Sequence, residues 1–327
     1  MSFWQKAWIK IRTLLIAAVA LAVFICLEYI VFTVFAYFGI DRKIYRGAYN
    51  FSTCVLVFIA MFVYNLISTK KKQPVFRMSK LGPDQVAALM VIGLGMLGFV
   101  TTYLIIAEKI AEYQKPVSDA VQNYRESVDR YAEVPQVVIP LWDSILYVVT
   151  LSFIVPISEE MTFRGVFFGE LRKGFSPWIA VILSALGFGL MHGLSVHIGY
   201  AIGCGLIIAS CYYLTDSLVA PIMLHMVFNI FGSGLPTTLS FEFLNLPAES
   251  TDAFMRGVST TSIIFMPISV FAVAYLVSVK RKKEAKAKAE SEIISVTVQA
   301  QEEPAEGTEG TVETADIMTE NGSGADL

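Results

Sequence analysis

The sequence predicts an all-α, polytopic membrane protein with about eight transmembrane helices and a disordered, acidic C-terminal tail. The mean hydropathy is +0.60. Hydrophobic residues make up 55% of the 327 residues and charged residues only 16%, which is too apolar for a soluble globular domain. Apolar runs of about 20 residues, which cross roughly 30 Å of hydrocarbon at 1.5 Å per residue, recur along the chain. We therefore expect membrane lipid, and no nucleic acid, among its partners.

Eight apolar stretches are candidate spans. They cover residues 13–38, 49–67, 86–107, 141–157, 177–191, 196–214, 218–231 and 258–279. The fifth and seventh are short, so we expect their neighbours to shield their ends, or the stretches to begin or stop part-way across the bilayer. Lys6, Lys10 and Arg12 precede the first stretch and no small-residue cleavage site follows, which predicts an uncleaved anchor.

Lys and Arg in the short loops predict the orientation of the chain. Basic residues cluster at the N-terminus and at 70–80, 164–173 and 280–283, which fall on one side of the membrane if there are eight spans. That side is cytoplasmic by the positive-inside rule. The first outer loop, with Arg42 and Lys43, argues mildly against this orientation. We predict a multi-pass protein of the plasma membrane with both termini in the cytoplasm.

The chain divides into four parts. Residues 1–140 hold three spans and, at 108–135, an amphipathic helix with apolar residues at spacings of four and three. This helix is either a lid or docking helix over a membrane cavity, or a helix lying on the bilayer surface. Residues 141–234 form the core, and residues 235–283 a loop and the last span. Residues 284–327 bury too little apolar surface to fold, which predicts a disordered cytoplasmic tail.

The fourth apolar stretch is followed directly by a segment with two carboxylates and a guanidinium, Ser158-Glu159-Glu160-Met161-Thr162-Phe163-Arg164-Gly165. An ionisable residue in a membrane-spanning segment costs roughly 2.5 to 3.5 kcal/mol at the helix centre, so it marks a candidate functional site. Glu160 and Arg164 lie one helical turn apart on one face and can pair, whereas Glu159 points about 100° away. The sequence therefore predicts one paired and one free carboxylate.

The three histidines of the chain, His192, His197 and His225, all lie in the same membrane half as these carboxylates. Asn229 follows His225 at i+4, on the same helix face. Taken singly, a histidine on an apolar helix is more often a buried hydrogen-bonding residue. His197 is interpreted as a bystander, and Asp216 as a turn residue or helix cap.

Polar side chains on separate membrane helices usually converge on one another or on a water-filled cavity, since lipid offers no partners. Such a chamber suits peptide hydrolysis. A carboxylate assisted by a neutral imidazole activates water as a general base, and a second imidazole and the amide of Asn229 stabilise the oxyanion. Alternatively Glu159, His192 and His225 hold zinc with an open fourth position. No His-Glu-x-x-His motif is present, so the metal-free version is favoured and no cofactor is assigned.

Three short motifs follow one another on successive apolar stretches: Glu159-Glu160-x-x-x-Arg164, Phe188-x-x-x-His192 and His225-x-x-x-Asn229. Together they resemble the motifs of the CPBP family, which comprises the type II CAAX prenyl endopeptidases and the bacteriocin-processing and self-immunity (Abi) proteases. The resemblance covers about 80 residues, 152–231.

The resemblance implies an eight-helix membrane bundle and an intramembrane endopeptidase. Glu159 would be the catalytic base acting with His192 on water, His225 and Asn229 would stabilise the oxyanion, and the ion pair of the first motif would be structural. The substrate would be a prenylated, bacteriocin-type or signal-type peptide at the membrane. The family is named both as glutamate proteases and as metalloproteases, so the resemblance leaves the metal open.

A second hypothesis is a non-catalytic membrane partner, such as an immunity protein or a sensor-kinase modulator, that binds a peptide in the same chamber. The long acidic tail and the amphipathic helix motivate it, because either could dock a membrane protein.

Overall fold

The structure is a computed structural model, and it describes residues 2–132, 139–193, 195–240, 244 and 246–302. Within these ranges the regular secondary structure is helical, apart from one antiparallel bridge between Met78 and Ser217. The predicted all-α class is confirmed. The chain forms two compact units, residues 1–280 and residues 281–327.

Nine helices lie within the described ranges. They are α1 (Phe3–Tyr37), α2 (Arg46–Lys70), α3 (Pro83–Ala111), α4 (Lys115–Ala132), α5 (Leu141–Gly174), α6 (Pro177–Leu190), α7 (Ser195–Thr215), α8 (Val219–Leu239) and α9 (Ala248–Glu302). Seven of them, all except α4 and α6, are long and apolar enough to cross a membrane. The eight predicted spans therefore correspond to these seven helices and α6, and the polytopic prediction is confirmed.

The two short predicted spans differ in the structure. The helix α6 has 14 residues, about 21 Å at 1.5 Å per residue, and it is shorter than the hydrocarbon layer. The helix α8 continues through Ile230–Gly234 to Leu239 and has 21 residues. The shortness of the predicted seventh span therefore reflected polar residues near its end and not a short helix.

The predicted amphipathic helix at 108–135 begins later than expected, because α3 continues to Ala111 and α4 starts at Lys115. Its Tyr124 ring lies 6.3 Å from the rings of both His197 and Tyr200 on α7. The Tyr124 ring therefore packs the helix against α7 of the membrane bundle. Residues 133–135, at its predicted end, lie outside the described residues.

The last helix does not end where the tail was predicted to begin. The helix α9 continues past residue 283 to Glu302. The residues beyond 283 are mainly Ala, Lys and Glu, which are good helix formers. Two i, i+4 pairs, Lys286 with Glu290 at 3.9 Å and Lys288 with Glu292 at 3.8 Å, support the helix. The start of the predicted tail is corrected accordingly, and residues 303–327 lie outside the described residues.

The first turn of α5 is fixed to the first turn of α2. Asp143 is fully buried, and its carboxylate accepts hydrogen bonds of 2.8 Å from the backbone N–H groups of Gly47 and Ala48. The first N–H groups of a helix have no partner within the helix, and a carboxylate there also interacts favourably with the helix dipole. Asp143 therefore caps α2 from a different helix.

The segment between α2 and α3 packs under α5. Val75 is 1% exposed, and its carbonyl oxygen would lie 2.8 Å from a Cβ placed on Gly169. A Cβ on Gly165 would overlap the ring of Phe76. The two glycines of α5 thus leave room for this segment.

Candidate functional site

The helix α5 carries the first motif on an irregular backbone. Residues Thr150–Ile154 and Met161–Phe167 are π-helical, and the α-helical turn Val155–Glu160 lies between them. Pro156 has no N–H to donate, so it interrupts the α-helical ladder next to the first π segment. Single-turn π segments inside α-helices occur frequently at functional sites. Here they flank Glu159 and Glu160 on both sides.

Glu160 and Arg164 form a fully buried ion pair. Arg164 donates from Nη1 to Oε1 of Glu160 at 2.9 Å, and both side chains have 0% exposure. Arg164 also donates from Nη2 to the carbonyl oxygen of Gly205 on α7 at 3.2 Å. Its guanidinium carbon lies 4.5 Å from the ring centre of Phe188 on α6. Arg164 therefore joins three helices.

His225 of α8 lies between the two neighbouring carboxylates. Its Nδ1 is 2.7 Å from Oε1 of Glu160, the same oxygen that accepts from Arg164. Its Nε2 is 3.9 Å from Oε2 of Glu159, beyond hydrogen-bond distance. Glu160 therefore binds the imidazole of His225 as well as the guanidinium of Arg164.

Phe188 is the ring around which the charged and imidazole groups pack. Its centroid lies 6.0 Å from that of His225 and 4.6 Å from that of His192. His192 lies two residues beyond the end of α6, and its Nδ1 lies 2.8 Å from the carbonyl oxygen of Phe188. Because a carbonyl only accepts, Nδ1 carries the hydrogen and Nε2 is the remaining nitrogen of His192.

Asn229 lies at the end of the regular part of α8. Its Nδ2 donates to the carbonyl oxygen of Leu151 in the first π segment of α5 at 2.9 Å. A third π segment, Ile230–Gly234, follows directly. Pro236 lacks an N–H, which removes the α-helical partner of a carbonyl in that segment. The side chain of Asn229 therefore links two π segments.

The contacts of His197 and of the backbone carbonyl groups of Gly205 and Leu151 were not predicted from the sequence. His197, interpreted as a bystander, has its ring centroid 4.6 Å from that of His192 and 4.8 Å from that of Tyr200. The carbonyl groups of Gly205 and Leu151 serve as acceptors, and a backbone carbonyl has no signature in a sequence. The rarity of histidine was the one signal that pointed to His197.

The described residues contain no group of three or more His, Cys, Asp and Glu side chains that could hold a metal ion. The alternative ligand set Glu159, His192 and His225 forms no such group. Both histidines direct Nδ1 to protein acceptors, which leaves Nε2 as the nitrogen of each ring that could bind a metal, but the described side chains are not gathered into a metal-binding group.

An apolar cavity of about 340 Å³ opens between α3, α8 and α9. Leu94, Leu97, Phe231 and Phe265 are among its lining residues. Phe231 follows Asn229 by two positions, so the cavity adjoins the π segment that follows the third motif in α8. Its lining suits an apolar chain.

Comparisons with known proteins find similar sequences for the part of the chain that carries the three motifs. Residues 141–231 match the model of the family described as type II CAAX prenyl endopeptidase Rce1-like. YdiL of Bacillus subtilis, named as a membrane peptidase, is 26% identical over 141 residues, which are 43% of this chain and 56% of the relative. MroQ of Staphylococcus aureus, named as a membrane-embedded CAAX protease, is 33% identical over 106 residues, which are 31% of this chain and 40% of the relative.

The matches span less than two thirds of each of these relatives. No solved structure matches the chain at a significant level. The matched family region begins at the first residue of α5 and ends within α8, so it contains all three motifs. The similarity to the Rce1-like, type II CAAX prenyl endopeptidase family thus lies in residues 141–231.

Proposed function

We propose that this chain is an intramembrane endopeptidase that hydrolyses a peptide bond in a membrane-associated peptide. The observation that carries the proposal is the different surroundings of two neighbouring carboxylates. Glu160 is fully buried and bound to Arg164 and His225, whereas the side chain of Glu159 is 20% exposed. Glu159 is thus the carboxylate that can meet water and substrate.

Glu159 would act as the general base. It takes a proton from a water molecule whose oxygen attacks the scissile carbonyl carbon, and the proton passes to the leaving amide nitrogen as the C–N bond breaks. The 3.9 Å between His225 Nε2 and Glu159 Oε2 is a distance that one water can bridge. Nε2 of His192 would accept the second hydrogen of the same water.

His225 and Asn229 would stabilise the oxyanion. Because His225 gives its Nδ1 hydrogen to Glu160, its Nε2 donates only in the doubly protonated form. Asn229 uses one amide hydrogen on the carbonyl of Leu151 and has a second one to give. Removing one such donor typically costs about 2.7 to 4 kcal/mol of transition-state stabilisation.

The substrate class follows from the surroundings of the site. A prenylated peptide, or an apolar bacteriocin-type or signal-type peptide, would present its chain from the lipid, and the 340 Å³ cavity would receive the apolar part. The names of the two relatives, a membrane peptidase and a CAAX protease, support this class.

Cleavage of defined reporters in proteoliposomes tests the proposal. The probes are a farnesylated peptide with a fluorophore and quencher across its C-terminal tripeptide, the same peptide without farnesyl, and an apolar leader peptide. Glu159→Gln should lower turnover at least about 10²-fold, the usual contribution of a general base. The matched control is Glu170→Gln, a carboxylate on the same helix that is 1% exposed and accepts from Tyr64. Folded Glu159→Gln protein with turnover within tenfold of the parent would refute the role.

The non-catalytic alternative predicts a different pattern in cells. A phenotype that survives Glu159→Ala and His192→Ala, and is lost when residues 284–327 are deleted, would favour a binding role over hydrolysis.

A further inference from the structure

A cluster of basic side chains surrounds Asp216 in the turn between α7 and α8. Arg77, from the segment between α2 and α3, has its Nη1 2.9 Å from Oδ1 of Asp216. Arg172, near the end of α5, has its Nη1 3.3 Å from the same oxygen. Lys280 of α9 has its Nζ 5.0 Å from the ring centre of Tyr213. Separate parts of the chain thus bring three cations to the neighbourhood of one carboxylate.

The backbone beneath the cluster is fixed independently of these side chains. Met78 and Ser217 form an antiparallel bridge, and the backbone N–H of Leu218 donates to the carbonyl of Arg77 at 2.7 Å. Asp216 has a φ of 55°, in the left-handed region that Asp adopts more readily than most residues. A substitution of the Arg77 side chain therefore leaves the docking of its segment intact.

Aromatic rings indicate the level of the cluster in the membrane. Trp178 is 53% exposed, and its ring lies 5.3 Å from that of Tyr213. The guanidinium carbon of Arg172 lies 5.6 Å from the same tyrosine ring. Trp and Tyr concentrate at the headgroup level, and the charged ends of Lys and Arg reach the same level. The cluster therefore lies where the phosphate groups of lipids lie.

The charges of the cluster favour an anion. The guanidinium groups of Arg77 and Arg172 both contact Oδ1 of Asp216. The single negative charge of this carboxylate offsets only one of the two positive charges. The side chain of Arg77 is 46% exposed, so part of its guanidinium faces outward. Guanidinium has five N–H donors in a plane, which suit two phosphate oxygens at once. Basic pockets between membrane helices are known binding places for anionic headgroups.

We propose that Arg77, Arg172 and Lys280 bind the phosphate group of an anionic phospholipid. Free phosphate offers the same chemistry, but the level of the aromatic rings favours the lipid. The site is separate from Glu159 and its partners, so the proposal holds whether or not the chain is a peptidase.

Native mass spectrometry of the full-length protein in detergent micelles tests the proposal, with phosphatidylglycerol and phosphatidylcholine as probes. The parent protein should bind phosphatidylglycerol more tightly. Arg77→Gln should weaken that binding about fivefold, the contribution of one cation near a membrane surface. Lys109→Gln is the matched control, because Lys109 is 71% exposed and pairs only locally with Glu112 at 2.7 Å. The affinity of the Lys109→Gln protein for phosphatidylglycerol should stay unchanged.

Three outcomes would overturn the proposal. These are equal affinity of the parent for the two lipids, unchanged affinity in folded Arg77→Gln protein, and complete displacement of phosphatidylglycerol by millimolar inorganic phosphate, which would assign the site to a soluble ligand. Should Arg77→Gln fail to fold, Lys280→Gln serves in its place with the same fivefold expectation.

Discussion

Replacing Arg164 by Met tests whether the buried ion pair holds the site together. Arg164 and Glu160 are both 0% exposed, so solvent screens neither charge. Removing one partner of a buried pair typically costs 3 to 5 kcal/mol, because the other charge is left uncompensated. His225 still donates to Glu160, which places the expected loss near the lower end, about 3 kcal/mol. Met keeps much of the volume beside Phe188, so packing changes little.

Equilibrium unfolding in mixed micelles, followed by the fluorescence of the four tryptophans, measures the loss. The double variant Glu160→Gln/Arg164→Met should be more stable than Arg164→Met alone, since a neutral amide leaves no buried charge behind. Lys109→Met, which breaks an exposed pair, should cost less than about 1 kcal/mol. The reasoning is refuted if Arg164→Met costs no more than this control, or if the double variant is the less stable of the two.

Three further predictions concern other parts of the fold. Asp143→Ala should destabilise the protein by about 3 kcal/mol in the same titration, because two backbone N–H groups at the start of α2 lose a charged acceptor. Gly98→Ala should lower the free energy of unfolding by about 1 to 3 kcal/mol, because its Cβ would overlap the carbonyl of Ser262. Gly257→Ala is the control and should not destabilise the protein, because a Cβ there meets open space. Burial alone would raise the pKa of Asp216, but the neighbouring cations lower it below the ordinary value of 3.8. A carboxylate with a lowered pKa stabilises the fold at neutral pH and loses this effect as the pH falls, so Asp216→Asn should lower the melting temperature at pH 7 and approach the parent below about pH 4.

The features of the fold that depend on residues close together in the chain could be predicted from the sequence. Apolar length identified the spans, and the i, i+4 spacing of Glu160 and Arg164 identified a possible pair, because both depend on residues close in the chain. The bond between His225 and Glu160 joins positions 65 residues apart. It depends on how α5 and α8 pack, which the periodicity of a single helix does not contain. The same holds for the contact of His197 with His192.

The C-terminal tail shows a second limit of prediction from sequence, which concerns composition and not long-range contacts. A low apolar content excludes a packed core, but it does not exclude a helix built from Ala, Lys and Glu. The low apolar content alone predicts a boundary at residue 283, whereas the helix α9 continues to Glu302. The roles assigned to Glu159, His192, His225 and Asn229 rest on chemistry and remain predictions that the reporter assay tests.

The buried segment under α5 restricts how the protein can be modified. Polar loops between spans are the usual positions for epitope tags and fluorescent-protein insertions. Residues 70–80 fit that description by their lysines, yet Val75 and Phe76 fill the space beside Gly165 and Gly169. An insertion there would withdraw support from the helix that carries the first motif. Tags for topology mapping therefore belong elsewhere, and a loss of activity after insertion in this loop would report on α5 and not on the side of the membrane that the loop faces.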